Sequence, residues 1–513
     1  MLNFDGDATA RINCAAMRSR ARFSLLITYA CAGAIALGIF ASGGRHAQWM
    51  PQLSAEPQAK PSDDPRLQKA WRFNRDGWVY LHLEGAPAEI GYQHGYLLAS
   101  EIEDAFNAIR FMDTHRTKRD WSFFHDTAKN VLWPHIDAQY QQELQGIADG
   151  VKAKGGKMDV YDVVALNAFE EVPDYYIPWL EAKQKKSGMA LPNHDLLTAP
   201  GNCSAFVATG SYTKDGKPVI AHNNWTSVHA GARWRIVFDI VPVKGYRMIM
   251  DGFPGVIVSD DDFTINSAGL AVTETTITGF HGFDPNGTPE FVRARKATQY
   301  AGSIDEYVRI MNDGNNGGYA NDWLLADIKT GEVARFEQGL KHQRLWRTKD
   351  GYFEGSNFAS DPQLIKDETD FDTEKPGTSP NARRERWRQL MAQNKGKIDA
   401  ALAQKFEGDH YDTFQKKEEA NERSLCGHVE TSPRGIPEWG WGPYHPGGTV
   451  QAKAADATMI KNMTLTARAG HACGTDFNAV EFLAKHPEYG WQKPALTDMK
   501  SGPWATFRTG EKK

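Results

Sequence analysis

The fold is read from Gly201-Asn202-Cys203-Ser204-Ala205-Phe206-Val207-Ala208-Thr209, the turn Lys214-Asp215-Gly216-Lys217, and Pro218-Val219-Ile220-Ala221-His222-Asn223-Asn224-Trp225. Short apolar runs bounded by turn residues predict one strand over 204–209 and a second over 218–222. The Asp-Gly chemistry between them predicts a tight hairpin, so the two strands pair directly. Upstream, residues 181–202 are Lys-rich, then Pro-containing, with no period, and read as a linker. Cys203 therefore stands where the linker meets the first strand. A structural cysteine belongs inside the apolar period; one at its leading edge is placed for chemistry.

Downstream, runs at 234–241, 247–250, 263–266, 270–276, 323–327 and 333–336 predict further strands of one or two antiparallel sheets. Helices are predicted over 303–311, where Ser303 and Glu306 have capping-box spacing, and over 381–393. Before the linker, residues 90–113 and the run around Leu144, Ile147 and Val151 carry apolar residues at three and four spacing, so 69–180 reads as an α-rich segment. Residues 407–450 are loop-rich, with Trp439 and Trp441. The class is α+β, without internal repeats.

The 513 residues are 41% hydrophobic and 24% charged, enough for a packed core and unlike a disordered chain. A net charge of -5 offers no basic face, which sets nucleic-acid binding aside. Arg18, Arg20 and Arg22 precede the uncharged run 23–44, so residues 1–44 read as a signal peptide or membrane anchor. The rest is expected to be exported (periplasmic, extracellular or lumenal) or anchored facing outward, with 23–44 as the point of membrane association. Residues 45–68 read as an exposed tether.

Cys14 and Cys31 belong to the leader, leaving Cys203, Cys426 and Cys473. Cys426 and Cys473 are expected to form a disulfide, contributing about 4 kcal/mol on the chain-entropy model. Unpaired thiols, or zinc held by Cys426, His428, His471 and Cys473, are the alternatives. No Gly-x-Ser-x-Gly elbow, His-Glu-x-x-His, phosphate loop or dinucleotide fingerprint occurs, and the glycine-rich 313–318 reads as a turn.

If the Asn202-Cys203 bond is cut, the new α-amine lies on the same residue as the thiol. Its pKa of about 7.7 to 8.0 suits it to take the thiol proton, making one residue both nucleophile and base.

The spaced motifs resemble the N-terminal nucleophile hydrolases, particularly the phospholipase B-like proteins and the autoproteolytic family that includes penicillin acyltransferase. The likeness runs from Gly85-Ala-Pro-Ala-Glu-Ile-Gly91-Tyr-Gln-His-Gly95 and Glu143-Leu-Gln-Gly-Ile-Ala-Asp-Gly150 through the Asn202-Cys203 junction and Ala221-His222-Asn223-Asn224-Trp225. It continues through 266–276, Asn321-Asp322-Trp323 and Ser379-Pro-Asn-Ala-Arg383-Arg384.

The resemblance implies a four-layer αββα sandwich of two antiparallel sheets flanked by helices. It also implies self-cleavage between Asn202 and Cys203, with 69–180 and 203–513 remaining associated as small and large chains. Cys203 is the expected nucleophile, with His222 beside the thiol or amine. Asn224 and Asn321 are expected oxyanion donors, Thr275 or Thr276 aligns the tetrahedral oxygen, and Arg383 or Arg384 pairs with a pocket carboxylate while the other is solvated. Tyr175, Tyr176 and Trp179 read as core, with an acyl-pocket wall as the alternative. No metal or cofactor is required. The implied substrate is an acyl amide or a phospholipid-type acyl ester, released to water or to an acceptor amine. A papain-like Cys203-His222 dyad without chain cleavage, and an inactive exported binding protein of the same fold, are the rival readings.

Overall fold

The computed structural model describes residues 64–186, 202–259 and 262–512. The leader and most of the linker lie outside the described residues. Among those described, no helix is long and apolar enough to cross a membrane.

Two sheets dominate. The larger runs, edge to edge, Trp71–Arg75, Trp78–Gly85, Ile236–Pro242, Met248–Gly252, Thr264–Asn266, Leu270–Thr276, Asn321–Asp327, Glu332–Gln338 and Gln343–Thr348. The smaller runs Gly351–Gly355, Ser204–Thr209, Val219–Ser227, Gly447–Asp456, Thr464–Ala469 and Ala505–Arg508. Neighbours are antiparallel throughout, except that Trp78–Gly85 lies parallel to Ile236–Pro242.

Strand alternation sets the layers. Ala205, Val207 and Ile220 face inward and join Val237, Ile249, Ala271 and Leu324 between the sheets. Phe206, Ala208, Val219 and Ala221 point the other way, onto Trp387, Leu390, Met391 and Phe406. Those partners lie on or beside the helices Ser379–Gln393 and Ala400–Glu407. On the far face of the larger sheet, Phe238, Met250, Val272 and Leu325 meet Ile102, Leu144, Ile147, Phe291 and Tyr307 of the helical layer. The order is helix, sheet, sheet, helix, so the expected four-layer α+β sandwich stands.

The Cys203 strand pairs directly with the His222 strand, from Ser204↔Asn223 to Ala208↔Val219. The connection is longer than the tight turn expected: a 3-10 turn at Gly210–Tyr212 follows the first strand, and Asp350 accepts a hydrogen bond from the Ser211 backbone N–H at 2.7 Å.

The α-rich N-terminal segment also contains two strands. It begins with the hairpin Trp71–Arg75 and Trp78–Gly85, turned by Asp76 (φ 51°) and Gly77 (φ 88°), an Asp-Gly pair fitting a left-handed turn. Its last helix, Ile177–Lys186, runs past the expected boundary at 180 into the linker. Two helices, Pro87–Leu97 and Ala138–Ala153, pack backbone to backbone. A Cβ on Gly91 would fall 1.9 Å from the Glu143 carbonyl oxygen, and one on Gly95 would fall 2.0 Å from that of Ile147. That close approach explains the glycines of both upstream motifs.

Cys426 and Cys473 do not form the expected disulfide. Both are free thiols, facing His428 Nε2 at 3.6 Å and 3.4 Å.

Candidate active site

The site is assembled by register. Ala205 lies opposite His222 and Ser204 opposite Asn223, so continuing the ladder brings Cys203 opposite Asn224 on the inter-sheet face. On the other side of that strand, Lys453 pairs with His222 and Gln451 with Asn224. The facing sheet delivers Asp262, just before Thr264–Asn266, and Glu274 of Leu270–Thr276. Ligating atoms of Cys203, His222, Asp262 and Glu274 all lie within 4.8 Å of one another, and all four residues are buried.

Cys203 has φ 81°. A non-glycine residue there stores strain of about 1–3 kcal/mol, held by its surroundings. Those surroundings are specific. Arg383 donates to the Cys203 carbonyl oxygen at 2.7 Å and to Asn357 Oδ1 at 2.7 Å. Asn357 Nδ2 in turn donates to the Asn202 carbonyl oxygen, the acyl oxygen of the Asn202-Cys203 bond, and to the Thr276 carbonyl at 3.1 Å. The Asn202 side chain donates to Glu170 Oε2 at 3.2 Å. Both sides of this peptide bond are thus fixed.

The thiol faces acceptors. Cys203 Sγ lies 3.7 Å from Asp262 Oδ1 and 4.0 Å from Asn224 Oδ1. Asn224 Nδ2 donates to Asp262 Oδ2, so Asp262 bridges the asparagine and the sulfur. Burial, with Glu274 and Asp262 alongside, holds the thiol well above its ordinary range. Burial pushes Asp262 up to about 7 against the pull of Lys453, whose Nζ is 3.9 Å from Asp262 Oδ2 and 3.1 Å from Asp251 Oδ2. Burial and then Asp262 raise Glu274 well above the usual carboxylate range. Burial and Lys453 hold His222 well below its ordinary value, and neither ring nitrogen has a hydrogen-bond partner among the described residues. His222 Nε2 lies 3.9 Å from Asp262 Oδ1.

Other expected residues take different places. Asn321 Nδ2 donates to the Tyr319 carbonyl at 3.0 Å, within its own turn, and makes no hydrogen bond to the thiol. Thr275 Oγ1 has no hydrogen-bond partner among the described residues and lies against Gly355 of the other sheet, where an added Cβ would fall 2.5 Å from it. Either Arg383 or Arg384 is expected against a carboxylate, and Arg383 is not the one. It instead lies over the rings of Trp225 and Trp439, and burial pushes it down to about 9. Arg384, expected in one assignment to be solvated, is buried and donates to the Phe358 carbonyl at 2.6 Å. Tyr175, Tyr176 and Trp179 pack in or against the helical core.

Asp262, Glu274, Lys453, Asn357 and Glu170 were missed from sequence. Glu274 stood inside a quoted motif and Asp262 at the end of an acidic triplet before a strand. Asn357 and Lys453 carry no local signal.

A cavity of about 740 Å³ opens beside the site, lined by Asn202 and Glu170 and walled by Phe169, Trp439, Trp441 and Trp491. Arg116 also reaches it, paired with Asp174 at 2.7 Å. Its size suits a small-molecule ligand. Asn202 lies between this space and Cys203 in the chain.

A family model described as Phospholipase B matches residues 90–348. Putative phospholipase B-like 2 of Caenorhabditis elegans is 35% identical, over 53% of this chain and 52% of that protein. Phospholipase B-like 1 of Bos taurus is 24% identical, over 47% and 48%. A protein of Archaeoglobus fulgidus is 23% identical, over 47% and 40%. The chain spans about half the length of these relatives, or less. Among solved structures, a mutant conjugated bile acid hydrolase from Clostridium perfringens aligns at 11% identity and TM-score 0.32, over 52% of this chain and 89% of that one.

Proposed function

We propose a function from one premise: this chain belongs to the phospholipase B family. It is a hydrolase of acyl bonds that activates itself by cutting the Asn202-Cys203 bond, then uses Cys203 as an N-terminal nucleophile. The observation that carries this reading is the treatment of that bond: a strained Cys203, a thiol against Asp262, and an Asn202 carbonyl already held by Asn357.

In the first reaction Cys203 Sγ attacks the Asn202 carbonyl carbon while its proton passes to Asp262. Negative charge gathers on the Asn202 oxygen, where Asn357 Nδ2 donates. The carbon-nitrogen bond breaks, the Cys203 nitrogen takes the proton, and a thioester joins Asn202 to the sulfur. Water hydrolyses that thioester, leaving an Asn202 carboxylate and a free Cys203 amine and thiol.

Departure of Asn202 opens the cavity to Cys203. The new amine then takes the thiol proton, and the sulfur attacks a substrate carbonyl. The aromatic wall of the cavity suits an acyl chain, so an acyl amide or a phospholipid-type acyl ester is the proposed substrate. Release to water makes the protein a hydrolase; release to an amine makes it an acyltransferase. Asn224, beside the sulfur, orients Asp262 in this scheme. Neither reaction draws a metal or cofactor into a step. A papain-like ion pair needs a protonated imidazole, and burial beside Lys453 works against that charge on His222. Export through residues 1–44 remains part of the proposal.

Intact mass and N-terminal sequencing of the purified protein test the cut. Two chains, the larger beginning at Cys203, are expected, with Cys203→Ala remaining a single chain. Normal processing of Cys203→Ala at this position would sink the reading.

A further inference from the structure

On the far side of the Val219–Ser227 strand from the inter-sheet site, the loop-rich stretch 407–430 and the turn after Thr464–Ala469 bring four soft donors together. Ligating atoms of His410, Cys426, His428 and Cys473 lie within 4.8 Å of one another. We propose that these four side chains form a structural zinc site. His410 takes the place that sequence spacing gave to His471, because it reaches the two thiols from an earlier part of the loop.

The geometry fits zinc. With bonds of about 2.0–2.3 Å, tetrahedral donors stand about 3.3–3.8 Å apart. His428 Nε2 is 3.6 Å from Cys426 Sγ and 3.4 Å from Cys473 Sγ. The surroundings are those of a ligand set. Glu430 Oε1 lies 2.9 Å from His428 Nδ1, a carboxylate placed to accept from that nitrogen while Nε2 faces both sulfurs. The Cys473 N–H donates to Cys426 Sγ at 3.3 Å and the Thr475 N–H to Cys473 Sγ at 3.5 Å, the acceptor role expected of thiolates. His410 Nε2 is buried without a hydrogen-bond partner among the described residues. His471 instead stacks on His428 at 4.1 Å and lies 3.4 Å from Glu430, supporting the set from behind.

Four protein donors leave no open position, so the metal fastens the fold and takes no part in catalysis. What it fastens is the Val219–Ser227 strand, the direct neighbour of the Cys203 strand. Leu425, next to Cys426, accepts hydrogen bonds from Asn223 Nδ2 at 3.0 Å and Trp225 Nε1 at 3.3 Å, on either side of Asn224. Gly427 lies so near Trp225 that an added Cβ would fall 2.0 Å from its ring.

The test is elemental analysis of the full chain isolated from cells, followed by chelation and refilling with Zn²⁺ or Co²⁺ alone. One zinc per chain is expected, and the cobalt form should show tetrahedral d–d bands with thiolate-to-cobalt charge transfer. His410→Ala should lose the metal, His410→Cys should keep it, and His471→Ala should retain it. Chelation should lower the melting temperature of wild type but not of Cys426→Ser. Failure of the reduced wild-type chain to take up either ion would overturn the proposal, as would a Cys426-Cys473 disulfide found by mass spectrometry in protein from cells. Retention by His410→Ala with loss by His471→Ala would overturn the ligand set.

Discussion

Asn357 holds the Asn202 carbonyl and is itself held by Arg383, so the donor and its positioner separate by substitution. An amide placed on a developing oxyanion is worth about 10²–10³ in rate. Asn357→Ala should therefore slow self-cleavage by that factor, read from the decay of the uncut chain on denaturing gels, while circular dichroism stays that of the wild type. An unchanged cleavage rate would remove Asn357 from the reaction. Cys203, His222 and Asn224 were legible because one hairpin carries all three on a single face. Asp262 and Asn357 were not, because one reaches the thiol by the stacking of sheets and the other reaches the Asn202 carbonyl by a loop crossing, which spacing along the chain does not encode.

Among the elements, the helix Pro87–Leu97 makes a polar contact that titration can isolate. His94 Nε2 accepts the Gly255 N–H at 3.0 Å in the core, and burial pushes the ring down to about 3. The unfolded chain binds the proton first, near pH 6.5, so this histidine leaves stability undiminished above that pH. Stability then falls as pH drops from about 6.5 toward 3. At about 1.4 kcal/mol per pH unit for one site, wild type should lose about 2 kcal/mol between pH 8 and pH 5 that His94→Gln does not lose. Urea unfolding of both proteins at the two pH values measures this, and equal losses would show that His94 does not stay neutral in the fold. Strand legibility followed the same chemistry of side chains. Ser204–Thr209 showed itself through Phe206 and Val207 beside turn residues. Gly447–Asp456 did not, since Gly447, Gly448, Ala452, Ala454 and Ala455 carry no β signature, although the strand lies at the centre of the site-bearing sheet.

At the scale of the molecule, the proposed cut divides a shared sheet. Trp78–Gly85 comes from one side of it and Ile236–Pro242 from the other, yet their ladder runs from Val79↔Ile236 to Gly85↔Pro242. Trp71 Nε1 donates to the Glu511 carbonyl at 2.8 Å and Arg75 pairs with Glu511 at 2.6 Å, fastening the first strand to the far end of the chain. The two products should co-elute on size exclusion in native buffer, including at high salt, and separate only in denaturant. Separation in native buffer would show that this ladder does not hold without the covalent link.

That parallel ladder has a consequence for the history of each molecule. The uncut polypeptide finds its register while both strands are tethered, whereas a denatured processed molecule must find it through the encounter of two solutes. Its recovery would slow on dilution, as a bimolecular reaction does. For the mature protein, heating would then report a lifetime in place of an equilibrium.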